Sequence, residues 1–527
     1  MINGVNTYSN ANFIKNYPQK HKASFSSNNK TTPSTKDANT KNKPVNTSIF
    51  YVNDIHGRIT NMYRIKTMHN LYMSNKPKAD IMNLASGDIM VGADDNTNIA
   101  ATMFLNSIGV TATALGNHEF DMTPEQLAKN TQNAKFKLLG INLRVDENND
   151  LHSRLEKSFV QEVNGNKYAI IGIAPPDLYE RIRGNSSRDK VKVDDFEKTI
   201  KDVQNEVKKY REQGINKIIV LSHCGMQKDQ RLAKEIEDID IILGAHTHEL
   251  FEGIKEGVNL FYSKKGEPVI ITQAGENGMY AGFINVEFND KGVITKAQNN
   301  IYETKQFKRD IPLRKAFDII YGPPEKLGVI AHADPPPKRR LVDPNPHMYF
   351  IMDAVRSEMG VDLALINAGN IRDYFEAGPI DSRQLFEIVP LKNKVVVHDL
   401  SEPELVQALK NGAKSYIHPG FKPSIVIPSG LKYTVTTKGE IKSATYIDKD
   451  GKQIPIDINN PNPNKIYKVA SDDFFASGGD NLIGNKMAEG KIDKVYDFDK
   501  VKLTCDYIKK LNRPIDIKDD GRITVIN

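Results

Sequence analysis

The chain of 527 residues has very little cysteine, with only Cys224 and Cys505, and it has no tryptophan. Two thiols so far apart form neither a disulfide framework nor a Cys-x-x-Cys metal or redox motif, so the fold depends on its core. The sequence contains no run of about 18 apolar residues, which excludes a membrane-spanning helix. The N-terminus lacks the basic stretch, apolar core and cleavage site of a secretory signal, so we expect no export by that route.

The net charge of +6 belongs to the N-terminal segment. Residues 1–47 hold seven lysines, no arginine and one acidic residue, whereas the rest of the chain holds 65 basic and 65 acidic residues. Asparagine, serine and threonine fill 21 of these 47 positions, which leaves little apolar surface to offset the entropy cost of folding. We therefore predict a disordered tail over residues 1–47. Since the remaining chain is neutral, its charge does not favour a nucleic-acid partner.

The length exceeds what a single hydrophobic core usually serves, so we expect more than one domain. From Ser48 onward, short apolar runs that end in Gly, Asn, Asp or His alternate with segments of helical period, such as 123–133 and 194–213. This alternation predicts an α/β fold, with strands buried on both faces and helices packed against them. Proline clusters then predict a linker over 304–334, between one domain at 48–303 and a second, smaller α/β domain at 335–527.

Side chains of the types that bind metal ions follow five of the predicted strands. In an open α/β sheet the carboxyl ends of the strands face one crevice, so side chains far apart in sequence converge there. One metal ion rarely takes seven such donors, whereas two ions that share a carboxylate use them well. The seven candidate ligands are Asp54, His56, Asp88, Asn117, His223, His246 and His248.

Each of these residues also has an ordinary explanation. Asp88 alone fits a helix N-cap, the glycines fit simple turns, and Cys224 beside His223 fits a small packing residue better than a thiolate ligand. However, five of the 12 histidines of the chain lie in these motifs at the ends of apolar strands. We interpret the other seven histidines as structural or solvated. The clustering favours a metal centre over a chance arrangement.

The order of these motifs resembles the calcineurin-like metallophosphoesterases. The motifs are Asp-x-His (54–56), Gly-Asp (87–88), Gly-Asn-His-Glu (116–119), His223 and Gly-x-His-x-His (244–248). The longer Gly-Asn-His-Glu-Phe-Asp segment is similar to the 5′-nucleotidase branch, the family of bacterial UDP-sugar hydrolase/5′-nucleotidase and ecto-5′-nucleotidase. The second domain carries further segments similar to that family, at 367–372, 390–393, 429–430 and 474–480. The resemblance covers nearly all of the chain after the tail.

The resemblance implies a layered N-domain, in which a sheet sandwich is flanked by helices, and a smaller α/β 5′-nucleotidase C-terminal domain. It implies two divalent metal ions, and the imidazole-rich donor set suits Mn, Zn, Fe or Co better than Mg. Two ions that share Asp88 would activate a water to hydroxide as the nucleophile. The implied ligands are Asp54, His56, Asp88 and His248 for one ion, and Asp88, Asn117, His223 and His246 for the other.

The resemblance also implies a catalytic pair and a nucleotide substrate. His118, oriented and charged by Asp121, would stabilise charge on the phosphoryl group and the leaving oxygen. In the second domain Arg372 would hold the phosphate, with Arg340 near the place of a second phosphate-binding arginine. Phe474 matches one wall of the aromatic clamp on the base, Asn367 a base contact and Asp480 an acceptor for a ribose hydroxyl.

The other wall of the clamp departs from the family pattern. The aromatic position before Ser429 and Gly430 is taken by Ile425, with Phe421 four residues earlier as the other candidate. A clamp without its second wall would bind the base more weakly by about 1–3 kcal/mol.

We therefore expect a metal-dependent phosphoester hydrolase that releases phosphate from nucleoside monophosphates. Alternatives on the same dimetal centre are a 2′,3′-cyclic-nucleotide 2′-phosphodiesterase, a UDP-sugar hydrolase or an enzyme for sulfate esters. A non-enzymatic nucleotide- or metal-binding protein is a more distant alternative. The family is commonly periplasmic or extracellular, but with no visible signal the sequence assigns no location, and it assigns no oligomeric state.

Overall fold

The computed structural model describes residues 23–24, 44–74, 79–91, 94–182, 189–391, 393–417 and 424–527. The chain divides into two compact units, Met1–Gly322 and Pro323–Asn527. The division falls inside the segment 304–334, for which the proline clusters predict a linker, while the exact domain bounds given above stay predictions. Among the described residues, no helix combines the length and the apolar composition that a bilayer span requires.

Strands with apolar, largely β-branched sequences build the first unit. They are β1 (Ala23–Ser24), β2 (Val45–Val52), β3 (Asp80–Ala85), β4 (Ala112–Ala114), β5 (Lys137–Leu139), β6 (Leu143–Val145), β7 (Leu155–Glu156), β8 (Ser158–Val163), β9 (Asn166–Ile173), β10 (Val191–Val193), β11 (Ile218–Ser222), β12 (Ile241–Leu243), β13 (Leu260–Tyr262), β14 (Pro268–Thr272), β15 (Tyr280–Phe288) and β16 (Ile294–Glu303).

Two large sheets organise these strands. The first has the order β1-β16-β15-β2-β3-β4-β5-β7, and its neighbours from β2 to β7 run parallel. The second has the order β13-β14-β12-β11-β9-β8, in which β14, β12, β11 and β9 run parallel. A short pair, β10 and β6, lies apart from them. Parallel strands buried on both faces explain the nearly continuous apolar runs in the sequence.

Helices cover the outer faces of both sheets. They are α1 (Ile59–Ser74), α2 (Asp95–Ser107), α3 (Pro124–Asn130), α4 (Leu178–Arg181), α5 (Phe196–Glu212), α6 (Met226–Glu235), α7 (Ile311–Ala316) and α8 (Asp318–Tyr321). One core cluster lies between the two sheets and joins residues such as Ile49 and Leu84 to Ile219 and Leu243. Two further clusters pack the first sheet against α1 and α2, and the second sheet against α5 and α6. The predicted sheet sandwich flanked by helices is therefore confirmed.

The second unit is a smaller α/β body with one core cluster. Its strands form sheets in the orders β19-β17-β27, β21-β18-β25-β20-β26 and β24-β23-β22-β28. The strands are β17 (Lys326–Ala333), β18 (Leu363–Asn367), β19 (Gly378–Asp381), β20 (Val395–Ser401), β21 (Val426–Ser429), β22 (Leu431–Thr436), β23 (Ile441–Ile447), β24 (Gln453–Ile456), β25 (Ile466–Asp472), β26 (Ile492–Val495), β27 (Ile515–Ile517) and β28 (Ile523–Ile526). The helices are α9 (Pro346–Met359), α10 (Ser382–Ile388), α11 (Glu402–Ala413), α12 (Asp473–Ala476) and α13 (Lys500–Leu511).

Part of the predicted tail is ordered. The sequence predicts that the tail ends before Ser48, where the first apolar run begins. In the structure Val45–Thr47 already belong to β2 and pair with β15, because the sheet extends beyond that apolar run. Ala23 and Ser24 add a short strand at the edge of β16. Residues 1–22 and 25–43 lie outside the described part of the chain.

Candidate functional site

The predicted metal ligands converge at one end of the two sheets of the first unit. Each lies in the loop directly after a parallel strand: Asp54 and His56 after β2, Asp88 after β3, Asn117 after β4, His223 after β11, and His246 and His248 after β12. Six of them, together with His118, form three groups in which one donor atom of each residue lies within 4.8 Å of the others. The groups are Asp54–His56–His248, His56–Asp88–His118 and Asp88–His223–His246.

The backbone of this site is strained in a systematic way. Five of the seven candidate ligands have positive φ angles, a conformation that residues other than glycine adopt rarely and at a cost. These angles are 48° at Asp54, 50° at His56, 51° at Asp88, 77° at His246 and 61° at His248. Backbone hydrogen bonds hold the first two, since Asp54 N–H donates to Gly87 O at 3.0 Å and His56 N–H to Asp88 O at 2.9 Å. The loops thus aim their side chains before any ligand binds.

Glycine beside the ligands is required by close packing. A Cβ atom at Gly116 would lie 2.2 Å from Asp88 Oδ1, far inside van der Waals contact. Gly87 has φ +88°, and a Cβ there would lie 2.8 Å from His223 Nδ1. The Gly-Asp and Gly-Asn motifs therefore bring the loops after β3 and β4 into direct contact.

The side chain of His223 shows that the site fits a cation. Its Nδ1–H donates to the Ser86 carbonyl at 2.7 Å, which directs Nε2 into the site. Nε2 faces two carboxylates, with Asp88 Oδ2 at 3.1 Å and Asp54 Oδ1 at 3.8 Å. Within the described residues, the buried atoms His56 Nε2, Asn117 Oδ1 and His223 Nε2 have no hydrogen-bond partner. Imidazole nitrogens, carboxylates and an amide oxygen that converge in a buried site are donors that divalent metal ions bind, so the donor set fits such ions.

The two central carboxylates are kept ionised. Burial opposes the charge of Asp88, yet the imidazoles of His223 and His56 outweigh burial and hold the pKa of Asp88 well below its usual range. Burial likewise opposes the ionisation of Asp54, while His248 and His223 lower its pKa. Ionised carboxylates are the form that binds metal.

His118 lies beside the ligands and is paired with Asp121, as the sequence predicts. Its Nδ1–H donates to Asp121 Oδ2 at 2.5 Å, and its ring centroid lies 5.0 Å from that of His56. Burial lowers the pKa of His118, but the bond to Asp121 and the charge of Asp88 outweigh this and raise it to about 9. Without bound metal, His118 is therefore an imidazolium at neutral pH. About a third of the side chain is exposed, so it can reach a bound molecule.

Two carboxylates at the same edge were missed in the sequence. Glu276 follows β14, and its Oε2 lies 3.3 Å from His248 Nδ1. Asp177 follows β9, and its Oδ2 lies 3.9 Å from His246 Nε2. A carboxylate beside the nitrogen of a histidine ligand that faces away from the site can orient the ring, and Glu276 is placed in this way at His248, whose Nε2 lies 3.4 Å from Asp54 Oδ1. Both residues could have been found by extending the strand-end rule to β9 and β14, whose C-terminal loops contain no histidine.

In the second unit, the structure brings Asn367 and Asp480 together across 113 residues of sequence. Asn367 Nδ2 donates to Asp480 Oδ2 at 2.8 Å, and Asn370 Nδ2 donates to Asn367 Oδ1 at 2.6 Å. Asp480 lies in a 3-10 turn with φ +58°. An amide and a carboxylate fixed in this way can recognise hydroxyl and amino groups.

Arg372 and Arg340 also converge. The Nη1 atom of each donates to the carbonyl of Ile371 at 3.2 Å. By contrast, Arg339 is held by Asp343, with Nε donating to Oδ1 at 2.9 Å. Two guanidinium groups that share a single carbonyl are suited to a bidentate anion such as phosphate.

Phe474, the predicted aromatic wall, lies on the second unit. It is half-buried at the start of α12, and Gly479 lies against its ring, because a Cβ at Gly479 would be 2.4 Å from Phe474 Cε1. Ile425 forms no opposite wall, since its side chain is 1% exposed in the core and its carbonyl accepts from Ala368 N–H. Phe421 lies outside the described residues.

Known proteins share both units of the chain. The family model for calcineurin-like phosphoesterases matches residues 47–250, and the model for the 5′-nucleotidase C-terminal domain matches residues 329–488. The trifunctional nucleotide phosphoesterase protein YfkN of Bacillus subtilis (strain 168) is 25% identical over 90% of this chain and 34% of its own length. The chain thus spans about a third of that relative.

A second relative is closer to this chain in length. The probable 5′-nucleotidase of Treponema pallidum (strain Nichols) is 24% identical over 78% of this chain and 80% of its own length. Among solved structures, the 5′-nucleotidase precursor from Thermus thermophilus superposes with a TM-score of 0.62 at 23% identity. That superposition covers 92% of this chain and 99% of the other, and it shows that the two share a fold.

Proposed function

The chain belongs to the 5′-nucleotidase family of calcineurin-like phosphoesterases, and from this premise we propose that it releases phosphate from nucleoside monophosphates. The observation that carries the proposal is the position of Asp88. Its Oδ2 lies 3.5 Å from His56 Nε2 and 3.1 Å from His223 Nε2, and these two histidines are proposed ligands of different ions, so Asp88 stands where two ions would share it. The pair of arginines in the second unit supports a phosphate-bearing substrate.

We propose that Asp54, His56, Asp88 and His248 hold one divalent ion, and that Asp88, Asn117, His223 and His246 hold the other. The nitrogen donors favour Mn, Zn, Fe or Co over Mg, which prefers oxygen ligands and water. When bound, such a pair of ions polarises the phosphoryl oxygens and makes a water nucleophilic near neutral pH.

The side chains of this chain would supply the remaining steps. The His118 imidazolium, fixed by Asp121, would stabilise the negative charge that grows on the phosphoryl group and the leaving oxygen. Arg372 and Arg340 would hold the phosphate. Phe474 would stack on the base, and Asp480 and Asn367 would bind the nucleoside by hydrogen bonds. The first unit would thus supply the groups for phosphoester hydrolysis, and the second unit would supply those that bind the nucleotide.

A second candidate function changes the ester and keeps the metal centre. It is favoured by the relative from Bacillus subtilis, whose name describes three nucleotide phosphoesterase activities. The candidate substrates are 2′,3′-cyclic nucleotides and nucleotide diphosphate esters such as UDP-sugars.

The test measures the products formed by chelated protein after addition of Mn, Zn, Co or Mg. Inorganic phosphate is measured for nucleoside monophosphates and p-nitrophenyl phosphate, and the nucleoside monophosphate product is measured by chromatography for cyclic nucleotides and UDP-glucose. We expect metal-dependent turnover of monophosphates, and a loss of at least about a thousandfold in kcat for Asp88→Asn. The control is Asp290→Asn, at an exposed turn position between β15 and β16. Turnover that survives chelation, or that is unchanged in Asp88→Asn, would contradict the proposal. If the protein hydrolyses only diesters, the second candidate function replaces the proposal that monophosphates are the substrates.

A further inference from the structure

Glu119 is a buried carboxylate at the metal site to which the proposed mechanism gives no role. It lies in the 3-10 turn His118–Phe120, and its side chain is 3% exposed. Burying a carboxylate is costly unless hydrogen bonds replace the lost water. The groups that replace this water show what Glu119 does.

Four backbone N–H groups donate to Glu119. Its Oε1 accepts from Ile89 at 2.9 Å and from Met90 at 3.1 Å, and its Oε2 accepts from Asp88 at 2.9 Å and from Gly116 at 2.8 Å. Three of the donors are consecutive residues of the loop after β3. Successive N–H groups that turn towards one point form a concave anion site, and here Glu119 fills it.

This carboxylate links two loops that carry metal ligands. The loop after β3 carries Asp88, whose φ of +51° is unfavourable for a residue other than glycine. The loop after β4 carries Asn117, whose preceding residue Gly116 gives the fourth N–H. Because each oxygen of Glu119 accepts from two donors, the carboxylate stabilises the strained turn at Asp88 and fixes its distance from Asn117.

We propose that Glu119 is the positioning residue that sets the spacing of the two metal ions, by holding the shared ligand Asp88 against the loop of Asn117. It contacts neither metal nor substrate, and it acts through the backbone of the ligands. The inference rests on the proposed dimetal function, and it assigns to the last residue of the Gly-Asn-His-Glu motif a role separate from those of Asn117 and His118.

The decisive variant is Glu119→Gln. Glutamine keeps the size of the side chain but replaces one acceptor oxygen with an NH₂ group, which must then face two N–H donors. Glu119→Asp keeps both acceptor oxygens on a shorter arm. The matched control is Glu402→Gln in the second unit, since Glu402 is a buried glutamate that accepts from Asn462 N–H and the Tyr467 hydroxyl, each at 2.8 Å.

The experiment measures Mn(II) binding by calorimetry and the EPR spectrum of the loaded protein, without substrate. We expect wild type and Glu402→Gln to bind two ions and to give the spectrum of an exchange-coupled pair. In Glu119→Gln we expect the affinity for one ion to fall about tenfold to a hundredfold, and the coupled spectrum to be replaced by that of separate ions. Glu119→Asp should lie between the two. In steady-state kinetics of Glu119→Gln, kcat should fall while KM changes by less than about threefold. The variant leaves the groups that bind the substrate in place.

The outcomes distinguish a failure of the proposed dimetal function from a failure of the role proposed for Glu119. Fewer than two ions in wild type would overturn the dimetal function itself. Two ions in wild type, with the same affinity and coupled spectrum in Glu119→Gln, would overturn the role of Glu119 alone. If circular dichroism shows that Glu119→Gln does not fold, Glu119→Asp decides: wild-type affinity and coupling together with wild-type kcat would overturn the role.

Discussion

The candidate metal ligands of the first unit and the candidate substrate residues of the second are held by different kinds of backbone. Asp54, Asp88 and His223 follow long buried strands and are at most 2% exposed. Asn367 ends the buried strand β18, but Asp480 lies in a three-residue 3-10 turn and Phe474 in a helix of four residues. The metal ligands are therefore fixed by the packing of two sheets, whereas two of the candidate substrate residues depend on short local elements.

The two kinds of backbone differ in how well they tolerate amino-acid substitutions. A ligand with positive φ, packed against a glycine that cannot accept a Cβ, has no freedom to change without loss of the site. A side chain on a short turn can be replaced while the scaffold stays intact, and loops of this kind commonly carry specificity. We accordingly expect changes in the first unit to act on kcat or metal content, and changes in the second to act on KM.

The largest effect expected from a residue that binds no metal is that of His118→Ala. Loss of the imidazolium removes stabilisation of charge in the transition state, so we predict a fall in kcat of about 10²–10⁴-fold. Metal content should stay at two ions and KM should change little. Steady-state kinetics and metal analysis check this. The control is His152→Ala, since His152 also begins a three-residue 3-10 turn of the first unit but is exposed. A similar fall in both variants would remove the assigned role.

A smaller effect is expected for Arg372→Ala. A charge-assisted hydrogen bond to phosphate contributes about 1.5–3 kcal/mol, so KM for a nucleoside monophosphate should rise about tenfold to a hundredfold while kcat changes less. Arg339→Ala is the matched control, because Asp343 already engages that guanidinium. Equal KM values for the two variants would show that the converging arginine pair does not bind phosphate.

The last prediction concerns the stability of the second unit and a histidine that packs in its core. His347 in the second unit is fully buried, its Nε2–H donates to Asp334 O at 3.0 Å, and its Nδ1 accepts from Phe375 N–H at 3.1 Å. Burial lowers its pKa to about 4, below the value of 6.5 for a free histidine. Between these values the unfolded chain takes up a proton that the folded chain does not, so stability falls as pH falls through this window.

The predicted loss is roughly 2–3 kcal/mol between pH 7 and pH 4. Urea unfolding at both pH values measures it. His347→Gln should show a smaller loss than wild type, whereas His332→Gln, at an exposed position, should keep the wild-type difference. If His347→Gln keeps the full pH dependence, another group is responsible.

Much of the first unit could be predicted from the sequence. Apolar strands can be recognised from their composition, and a ligand directly after such a strand lies at the end of the sheet. The seven candidate ligands were predicted for this reason, and the pair His118–Asp121 was implied by the family resemblance, while the roles of all nine stay proposals. Glu276 and Asp177 were missed because single carboxylates after strands are common and their loops contain no histidine.

The second unit was less predictable, because its candidate residues meet only by long-range packing. Periodicity and strand ends are local properties, so the layered α/β fold and the sheet edge of the candidate ligands could be predicted from the sequence. Three features follow from long-range packing instead: Ile425 belongs to the core, Arg340 joins Arg372 while Arg339 is held by Asp343, and Glu119 joins two ligand loops. These outcomes depend on which distant residues share a buried volume and on where each buried polar group finds its hydrogen bonds.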